Sequence, residues 1–345
     1  MTLPSADRLV ELVEQMSGRP ILVLADLVAD RFLAGSPKRV SREAPVLILR
    51  IDEEIFAPGG GANAIANVAA LGGRPLPVGV VGDDESGRQL TAALEGAGIS
   101  TEGILVIPGY RTPTKTRVLG GGVHTIKQQI VRFDREDTVE LDESQKTALS
   151  EALARFGGQA SVGVLSDYGY GTVDPTLLPA ARAALSGSGI ILCDSRYRLA
   201  EFSGLSGATP NEEEVEALVG HEFGGNPAQL HATGTELRER LEAEFLLITR
   251  GSLGMALFEE AGVSHIPIWG SDEVADVTGA GDTVIGAFSL AIAAGASTLE
   301  AALLANFAGG LVVMKRGTAT ISPTELSAAV ATADDLLSEV RWESF

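Results

Sequence analysis

The stretch Ile21-Leu22-Val23-Leu24-Ala25-Asp26 is a continuous apolar run that ends in a carboxylate. A run without polar alternation is typical of a strand that is buried on both faces. Similar runs occur at 77–81, 162–165, 190–193 and 245–249, and helical patterns lie between them at 62–71, 86–97, 143–156, 174–184 and 228–244. This alternation predicts an α/β fold, with a central, mostly parallel sheet and helices on both of its faces.

Two segments, 31–57 and 103–135, interrupt the alternation. The first contains the apolar run 46–51 and no helical pattern, and the second contains three short runs at 103–107, 116–119 and 128–133. Short runs of this kind around turn residues predict antiparallel strands. We expect them to form a small β-sheet lid on a single domain spanning 1–345. The alternative is that they extend an edge of the main sheet.

Composition and charge exclude several classes of protein. The 345 residues include 26 Lys and Arg against 46 Asp and Glu, a net charge of −20. Such a surface repels polyanions and anionic lipids, so we predict neither a nucleic-acid partner nor a membrane partner. Charges interrupt the N-terminal segment and no apolar run approaches the roughly 20 residues of a membrane span, which predicts a cytoplasmic protein without a leader.

Cysteine and histidine usage argues against a metal centre built from these residues. The single cysteine, Cys193, allows neither an internal disulfide nor a multi-cysteine zinc site. The four histidines are scattered without metal-ligand spacing, at His124, His221, His231 and His265.

The stretch Asp276-Val277-Thr278-Gly279-Ala280-Gly281-Asp282-Thr283 has the clearest chemical meaning. Gly279 and Gly281 permit a tight turn before a helix, so that successive N–H groups point at one spot and form an anion hole. Asp282 at the same helix start is suited to take a proton from a hydroxyl while the amides hold the charge on a transferred phosphoryl group. The alternative is an aspartate that caps a helix.

A second glycine-rich helix entry contains Gly60, Gly61 and Asn63. The glycines let the backbone approach a ligand, and the side chain of Asn63 offers a donor and an acceptor to sugar hydroxyls. The same segment also fits a dinucleotide fingerprint, although no buried strand leads directly into the turn.

Aspartates follow the first predicted strand at Asp26 and Asp30. Ligands bind at the carboxyl ends of strands in open α/β sheets, so these side chains are placed to hold hydroxyls. Helix capping or solvation is the alternative for each.

Three further places are candidates for nucleotide or metal contacts. Asn211 and Glu214 at a helix entry are suited to hold Mg²⁺ through waters, or to form a capped acidic helix start. The loop Arg250-Gly251-Ser252-Leu253-Gly254 is either close to a nucleotide or a hairpin turn. Asn306 either lines an adenine pocket or faces water, and we favour the second.

Taken together, these segments resemble the PfkB, or ribokinase-like, family of carbohydrate kinases over about residues 20–325. The stretch 276–283 resembles the family's C-terminal signature, 60–63 its N-terminal one, and Asn211 with Glu214 its N-x-x-E motif. More specific pieces resemble the heptose 7-phosphate kinases of this family, namely Ser41-Arg42-Glu43-Ala44-Pro45-Val46, Gln128-Gln129 with Arg132 and Asp134, and Leu165-Ser166-Asp167-Tyr168.

The resemblance implies a ribokinase-type fold with a lid, ATP and Mg²⁺ as cofactors, and phosphoryl transfer to the anomeric hydroxyl of a heptose 7-phosphate. It implies that Asp282 is the catalytic base, that Gly279, Ala280 and Gly281 form the anion hole, and that Asp276 and Thr278 bind a monovalent cation such as K⁺. The implied substrate contacts are Asp26, Asp30, Gly60, Gly61, Asn63, Lys127, Arg132, Asp167 and Arg196. The implied nucleotide contacts are Asn211, Thr249, Arg250, Gly251, Gly254 and Asn306, with Glu214 holding Mg²⁺ through water.

The sequence departs from the heptose kinases at two places. Tyr170 and Ser195-Arg196-Tyr197 stand where those kinases carry lysines near the distal phosphate of the sugar. Arg196, Arg198 or Lys127 are the candidates to replace them, because arginine grips phosphate through two nitrogens. A PfkB kinase for another sugar or nucleoside, and a non-catalytic sugar-binding protein, are the alternatives. Exposed edges of the lid strands predict a homodimer through the lid.

Overall fold

The computed structural model describes residues 3–122, 127–187, 189–222, 226–270, 275–315 and 317–345. The strands are β1 (Pro20–Val40), β2 (Leu47–Gly60), β3 (Arg74–Gly82), β4 (Ile104–Ile107), β5 (Thr114–Gly120), β6 (Gln128–Arg135), β7 (Val162–Asp167), β8 (Ile190–Ser195), β9 (Gly207–Ala208), β10 (Phe245–Thr249), β11 (Met255–Glu259), β12 (Gly262–Ile266) and β13 (Arg341–Ser344). The helices are α1 (Ala6–Gln15), α2 (Gly61–Ala70), α3 (Glu85–Gly96), α4 (Glu143–Gly157), α5 (Leu178–Ala184), α6 (Glu212–Val219), α7 (Pro227–Arg240), α8 (Ala280–Ala293), α9 (Thr298–Val313), α10 (Pro323–Val330) and α11 (Asp334–Glu339).

The main sheet has the strand order β13-β12-β11-β10-β9-β8-β7-β1-β3-β4. It is parallel from β4 to β10 and antiparallel from β10 to β13. Side chains of β1 alternate between two apolar cores, with Ile21, Val23 and Ala25 in one and Leu22 and Leu24 in the other. The predicted α/β fold is therefore confirmed, and the continuous apolar run reflects a strand packed on both faces.

Strand β1 is longer than the sequence predicts. It pairs with β3 as far as Asp26, and from Leu27 onward it pairs with β2 and then also with β5. The backbone groups beyond Asp26 thus find new partners on both sides, so that the strand continues to Val40. Asp26 and Asp30 accordingly lie within a strand, where it passes from one sheet into another, and not at a strand end.

A second, four-stranded sheet with the order β2-β1-β5-β6 stands on the outer half of β1. The strands predicted at 46–51, 116–119 and 128–133 all belong to it. The strand predicted at 103–107 does not, because β4 pairs in parallel with β3 at the edge of the main sheet. That run follows α3 and completes a β-α-β crossover, which returns it to the main sheet.

Across the part of the chain that is described, none of the helices combines the length and the apolar character needed to cross a bilayer.

Candidate active site

The site lies at the start of α8. Gly279 precedes the helix with a φ of 77°, a left-handed conformation that favours glycine. A Cβ on Gly279 would lie 2.4 Å from Asn63 Nδ2, whereas a Cβ on Gly281 would meet only Asp194 Oδ2, at 3.9 Å. The first turn of α8 therefore borders open space beside Gly281 and Asp194, as an anion hole requires.

Asp282 lies in this first turn and is only 2% exposed. Its Oδ2 accepts a hydrogen bond from Asn63 Nδ2 at 2.8 Å, and its Oδ1 accepts one from the Tyr168 hydroxyl at 2.8 Å. Burial raises the pKa of Asp282 to about 7, because the loss of solvation outweighs these two hydrogen bonds. A carboxylate with this pKa is matched to general-base work near neutral pH.

Asn63 is held in place by a chain of polar contacts between α2 and α8. Asn67 Nδ2 donates to the Asn63 carbonyl at 2.9 Å, and Thr283 Oγ1 donates to Asn67 Oδ1 at 2.9 Å. Sequence reasoning predicts Asn63 as a sugar contact, whereas the structure directs its amide nitrogen at Asp282. Asn63 is thus positioned to orient the carboxylate, and Asn67 and Tyr168 are members of the site that the sequence did not reveal.

Gly60 and Gly61 form the turn between β2 and α2. Gly60 has a φ of 52°, and a Cβ there would lie 2.6 Å from Val28 Cγ2. A Cβ on Gly61 would lie 2.6 Å from the Ala25 Cβ. The close packing of this turn against β1 is the reason that both positions are glycine.

Asp26 is fully buried and holds the loop after β7. Its Oδ2 accepts hydrogen bonds from the backbone nitrogens of Tyr168 and Tyr170, each at 2.9 Å, and its Oδ1 accepts one from Thr172 N at 2.9 Å. Its oxygens thus fix the loop that presents Tyr168 to Asp282, which is a positioning role, and a contact of Asp26 with a sugar hydroxyl stays a prediction.

Asp167 is similarly engaged by protein groups. Its Oδ2 accepts from Ser195 Oγ at 2.6 Å, and its Oδ1 accepts from Arg198 Nη2 at 2.5 Å. Arg198 also donates to the Val173 carbonyl at 2.9 Å. Both side chains are thus held by protein groups, and the substrate contact at Asp167 and the phosphate contact at Arg198 stay predictions.

Asp30 pairs with an arginine where β1 and β5 run side by side. Asp30 Oδ1 lies 2.8 Å from Arg117 Nη1, and the two side chains are 3% and 9% exposed. Burial raises the pKa of Asp30, and the charge of Arg117 opposes the rise. Arg117 was not predicted as a site residue.

Three positively charged side chains lie near Asp30 and influence one another's charge. Lys115 Nζ sits 5.1 Å from the centre of the Tyr168 ring, and the side chain is largely buried. Burial lowers the pKa of Lys115, the charge of Asp30 opposes this, and the charges of Arg196 and Arg132 lower it further. We call Lys115, Arg132 and Arg196 the cation cluster.

The structure separates Lys127 from this cluster. In the register of β1 and β5, Asp30 lies opposite Lys115 and Gly35 lies opposite Gly120. Gly120 in turn pairs with Gln128 at the start of β6, next to Lys127. Five residues of strand separate these levels, about 17 Å. Lys127 thus lies near the outer end of the second sheet, 4.0 Å from Asp52. Lys115 is a site residue that sequence reasoning missed. One signal could have found it, because Lys115 and Arg117 alternate with threonines at the start of a predicted lid strand.

Two carboxylates, Asp194 and Glu214, lie close enough for their charges to interact, and Asp194 Oδ2 borders the open space at Gly281. Asn211 and Glu214 form a capping box at the start of α6, the helix-start alternative of the sequence reading. Burial raises the pKa of Glu214. Burial also raises the pKa of Asp194 well above its usual range, and the neighbouring charges of Glu214 and Asp282 add to this. Asp194 is a site residue that the sequence reading missed.

The residues predicted to contact nucleotide lie around the β10–β11 connection. Thr249 bridges to Asn211, Arg250 contacts Glu212 Oε1 at 3.3 Å, and Arg250 N donates to the Gly254 carbonyl at 2.8 Å. Gly251 begins the short helical turn between them. This loop is a tight hairpin turn, which was one of its two predicted forms.

Asn306 does not face water, and the preference for that reading is wrong. It is fully buried because α9 is covered on nearly all sides. Its Nδ2 donates to the Pro267 carbonyl at 2.8 Å, and its Oδ1 has no hydrogen-bond partner among the described residues.

Asp276 ties two loops together. Its Oδ1 accepts from Thr278 N at 2.9 Å and its Oδ2 accepts from Gly317 N at 3.1 Å. A monovalent cation at Asp276 and Thr278 stays a prediction.

The chain belongs to the pfkB family of carbohydrate kinases, whose family model matches residues 35–325. It is 41% identical over 326 residues to the Bifunctional protein HldE of Caulobacter sp. (strain K31), covering 93% of this chain and 64% of that protein. It is 42% identical over 313 residues to the Bifunctional protein HldE of Chromohalobacter salexigens, covering 90% of this chain and 63% of that protein. The chain thus spans less than two thirds of these relatives.

Solved structures agree on the fold. The phosphofructokinase-2 from Escherichia coli, in complex with substrates and products, is similar with a TM-score of 0.71 and 21% identity, covering 91% of this chain and 98% of that one. The ribokinase of Arabidopsis thaliana, complexed with ribose and ATP, is similar with a TM-score of 0.68 and 19% identity, covering 91% of this chain and 99% of that one. The ribokinase-like fold and the class of carbohydrate kinase are therefore confirmed.

Proposed function

We propose that this carbohydrate kinase transfers the γ-phosphoryl group of ATP to the anomeric hydroxyl of D-glycero-D-manno-heptose 7-phosphate. The observation that carries the phosphoryl transfer is a buried carboxylate, Asp282, with a pKa of about 7 in the first turn of a helix. The resemblance of several segments to heptose 7-phosphate kinases, and the similarity to the Bifunctional protein HldE, support the choice of sugar.

In the proposed reaction, Asp282 accepts the proton of the sugar hydroxyl. Asn63 and Tyr168 hold its two oxygens, which orients the carboxylate and keeps part of it ionised despite burial. The deprotonated sugar oxygen attacks the γ-phosphorus of ATP, and ADP leaves with the electron pair of the broken P–O bond. Backbone N–H groups at the start of α8 stabilise the negative charge that develops on the transferred group.

Asp194 and Glu214 are suited to hold Mg²⁺ through water. Hard carboxylate oxygens are the ligands that Mg²⁺ prefers, and Asp194 Oδ2 faces the open space beside Gly281. The pKa of each carboxyl is raised by burial, and the charge of Glu214 adds to the effect at Asp194, so a cation between them would favour their ionised forms. Mg²⁺ bound here would supply charge neutralisation to the phosphates of ATP.

The cation cluster supports a substrate that carries its own phosphate. Lys115, Arg132 and Arg196 place positive charge around Asp30 and Asp282 in a chain whose net charge is −20. Arg132 also donates to Asp134 at 2.5 Å, so Lys115 and Arg196 are the members of the cluster that are not held by a carboxylate in this way. An unphosphorylated sugar has no anionic group that would pair with them. We propose that the cluster, with Arg196 in the role of the lysines carried by the resembled kinases, binds the distal phosphate of the sugar.

The test is a coupled ADP-release assay with Mg·ATP and a panel of heptose 7-phosphate, fructose 6-phosphate, fructose, ribose and adenosine. We expect heptose 7-phosphate to give the highest kcat/KM. Lys115→Met should raise the KM for this substrate by about tenfold or more, since one charge-assisted contact is worth about 1.5–3 kcal/mol. Lys146→Met is the matched control, because Lys146 lies on α4 and pairs with Asp174, which is not a residue of the cation cluster. A preference for an unphosphorylated sugar would refute the proposed substrate.

We also propose that the second sheet forms a lid over the sugar and mediates a homodimer. Large apolar side chains, each about half exposed, lie along its strands at Leu47, Ile51, Ile55, Ile130, Val131 and Phe133, and at Val46 just before β2. Exposed apolar patches of this kind mark interaction surfaces. Analytical ultracentrifugation should find a dimer, and Ile51→Asp should convert it to a monomer.

A further inference from the structure

Two histidines and a glutamate meet at the far edge of the main sheet. His231 on α7 and His265 on β12 lie with their Nε2 atoms 2.9 Å apart, and Glu343 Oε2 on β13 lies 3.6 Å from His231 Nε2. All three ligand atoms lie within 4.8 Å of one another. Sequence spacing does not predict this cluster, because 34 residues separate the two histidines and a further 78 separate His265 from Glu343.

The elements fix this cluster from three directions. Strands β12 and β13 are antiparallel, with Glu343 opposite Val263, so that Glu343 and His265 are diagonal neighbours on one face. The His231 and His265 rings stack with centres 5.0 Å apart, and His231 packs edge-on against Phe258. Both imidazoles are half-buried, and Glu343 is exposed. The cluster is preformed on its histidine side and open to solvent on its carboxylate side.

The distances are close to those of a bound transition metal. Zinc binds imidazole nitrogen at about 2.0–2.1 Å in tetrahedral geometry, which places two ligand atoms about 3.3 Å apart. The His231 and His265 nitrogens would need to separate by about 0.4 Å, and the gap from His231 to Glu343 would close by about 0.3 Å. The third pair, His265 and Glu343, lies within 4.8 Å, so it would close by at most about 1.5 Å. Rotation of the exposed Glu343 side chain covers such a shift. Imidazole and carboxylate together form a donor set of zinc sites.

We propose that His231, His265 and Glu343 bind one Zn²⁺ ion that fastens the C-terminal strand β13 to α7 and β12. Three protein ligands leave the fourth position to water. Strand β12 is six strands from β1 in the main sheet, about 29 Å at the usual strand spacing. The site is therefore separate from the carboxylates of Asp26 and Asp30, and its role is to hold an edge strand. Arg250 and Arg341 lie near His265 and oppose a cation, which Glu343 offsets in part.

The test is calorimetric titration of the chelator-treated full chain with Zn²⁺, in excess Mg²⁺ so that oxygen-ligand sites are filled. We expect one Zn²⁺ per chain. His265→Gln and Glu343→Gln should each weaken Zn²⁺ binding by at least about tenfold. Loss of a residue that only hydrogen-bonds to a metal ligand already lowers metal affinity by about that factor. His221→Gln is the matched control, since His221 contacts Gln229 outside the cluster. Hydrogen exchange in residues 341–344 should slow when Zn²⁺ is added.

Two outcomes would overturn the proposal. Stoichiometric binding that survives in both His265→Gln and Glu343→Gln would place the ion elsewhere. Absence of binding at micromolar Zn²⁺ would show that the two imidazoles share only a hydrogen bond. Because Glu343 is exposed, its glutamine variant is expected to fold normally, so weakened binding in Glu343→Gln is not explained by misfolding.

Discussion

We expect the hydrogen bond from the Tyr168 hydroxyl to Asp282 to set the pH range in which the proposed reaction runs. Tyr168→Phe removes one of the two side-chain donors that favour the ionised carboxylate, whose pKa is about 7. A hydrogen bond to a charged group is worth about 1.5–3 kcal/mol, and one pKa unit is 1.36 kcal/mol. The pKa of Asp282 should therefore rise by about 1–2 units.

The sign follows from the proposed role of Asp282 as a base. Activity requires the ionised form, so kcat/KM should rise with pH through about 7 in the native enzyme and through about 8–9 in Tyr168→Phe. At pH 7 the ionised fraction would fall from about one half to about a tenth or a hundredth, which is a loss of about 5- to 50-fold. The loss should largely disappear above the new pKa.

The measurement is the pH profile of kcat/KM in the coupled ADP-release assay. Tyr170→Phe is the matched control, because its hydroxyl contacts Glu136 at 3.2 Å and not Asp282. We expect the control to keep a midpoint near 7. A Tyr168→Phe profile with an unmoved midpoint and a uniformly lower rate would refute this reasoning, since it would show that Tyr168 acts on something other than the charge of Asp282.

Three further variants test folding and the anion hole. Gly279→Ala forces a left-handed alanine whose Cβ meets Asn63 Nδ2 at 2.4 Å, so it should lower stability by about 1–2 kcal/mol and also reduce kcat. Gly281→Ala has open space at its Cβ, so urea unfolding should show native stability while transfer falls, and equal destabilisation of both variants would contradict this. Arg198→Leu leaves the buried Asp167 carboxylate without its ion pair, which should cost about 2–4 kcal/mol in the same experiment. Native stability in Arg198→Leu would mean that Ser195 alone satisfies Asp167.

The sequence by itself determined the architecture and the centre of the site. Continuous apolar runs separated by helical patterns report burial on both faces, which requires a parallel sheet covered by helices. The glycines around Asp282 report a backbone conformation and a helix start. These are local properties of the chain, and each was recovered in α8 and in the main sheet.

Only the tertiary structure decided which distant residues meet. Asn63 and Asp282 are 219 residues apart, and their contact depends on the packing of α2 against α8. Three other contacts likewise depend on strand register and sheet order. They are the hydrogen bonds of Asp26 to the loop after β7, the place of Lys115 in the cation cluster, and the contact between His231 and His265. Periodicity records how deeply a residue is buried and does not record its partner, because partners are chosen when separate elements close on one another. The burial of Asp282, which raises its pKa to about 7, is set at that step.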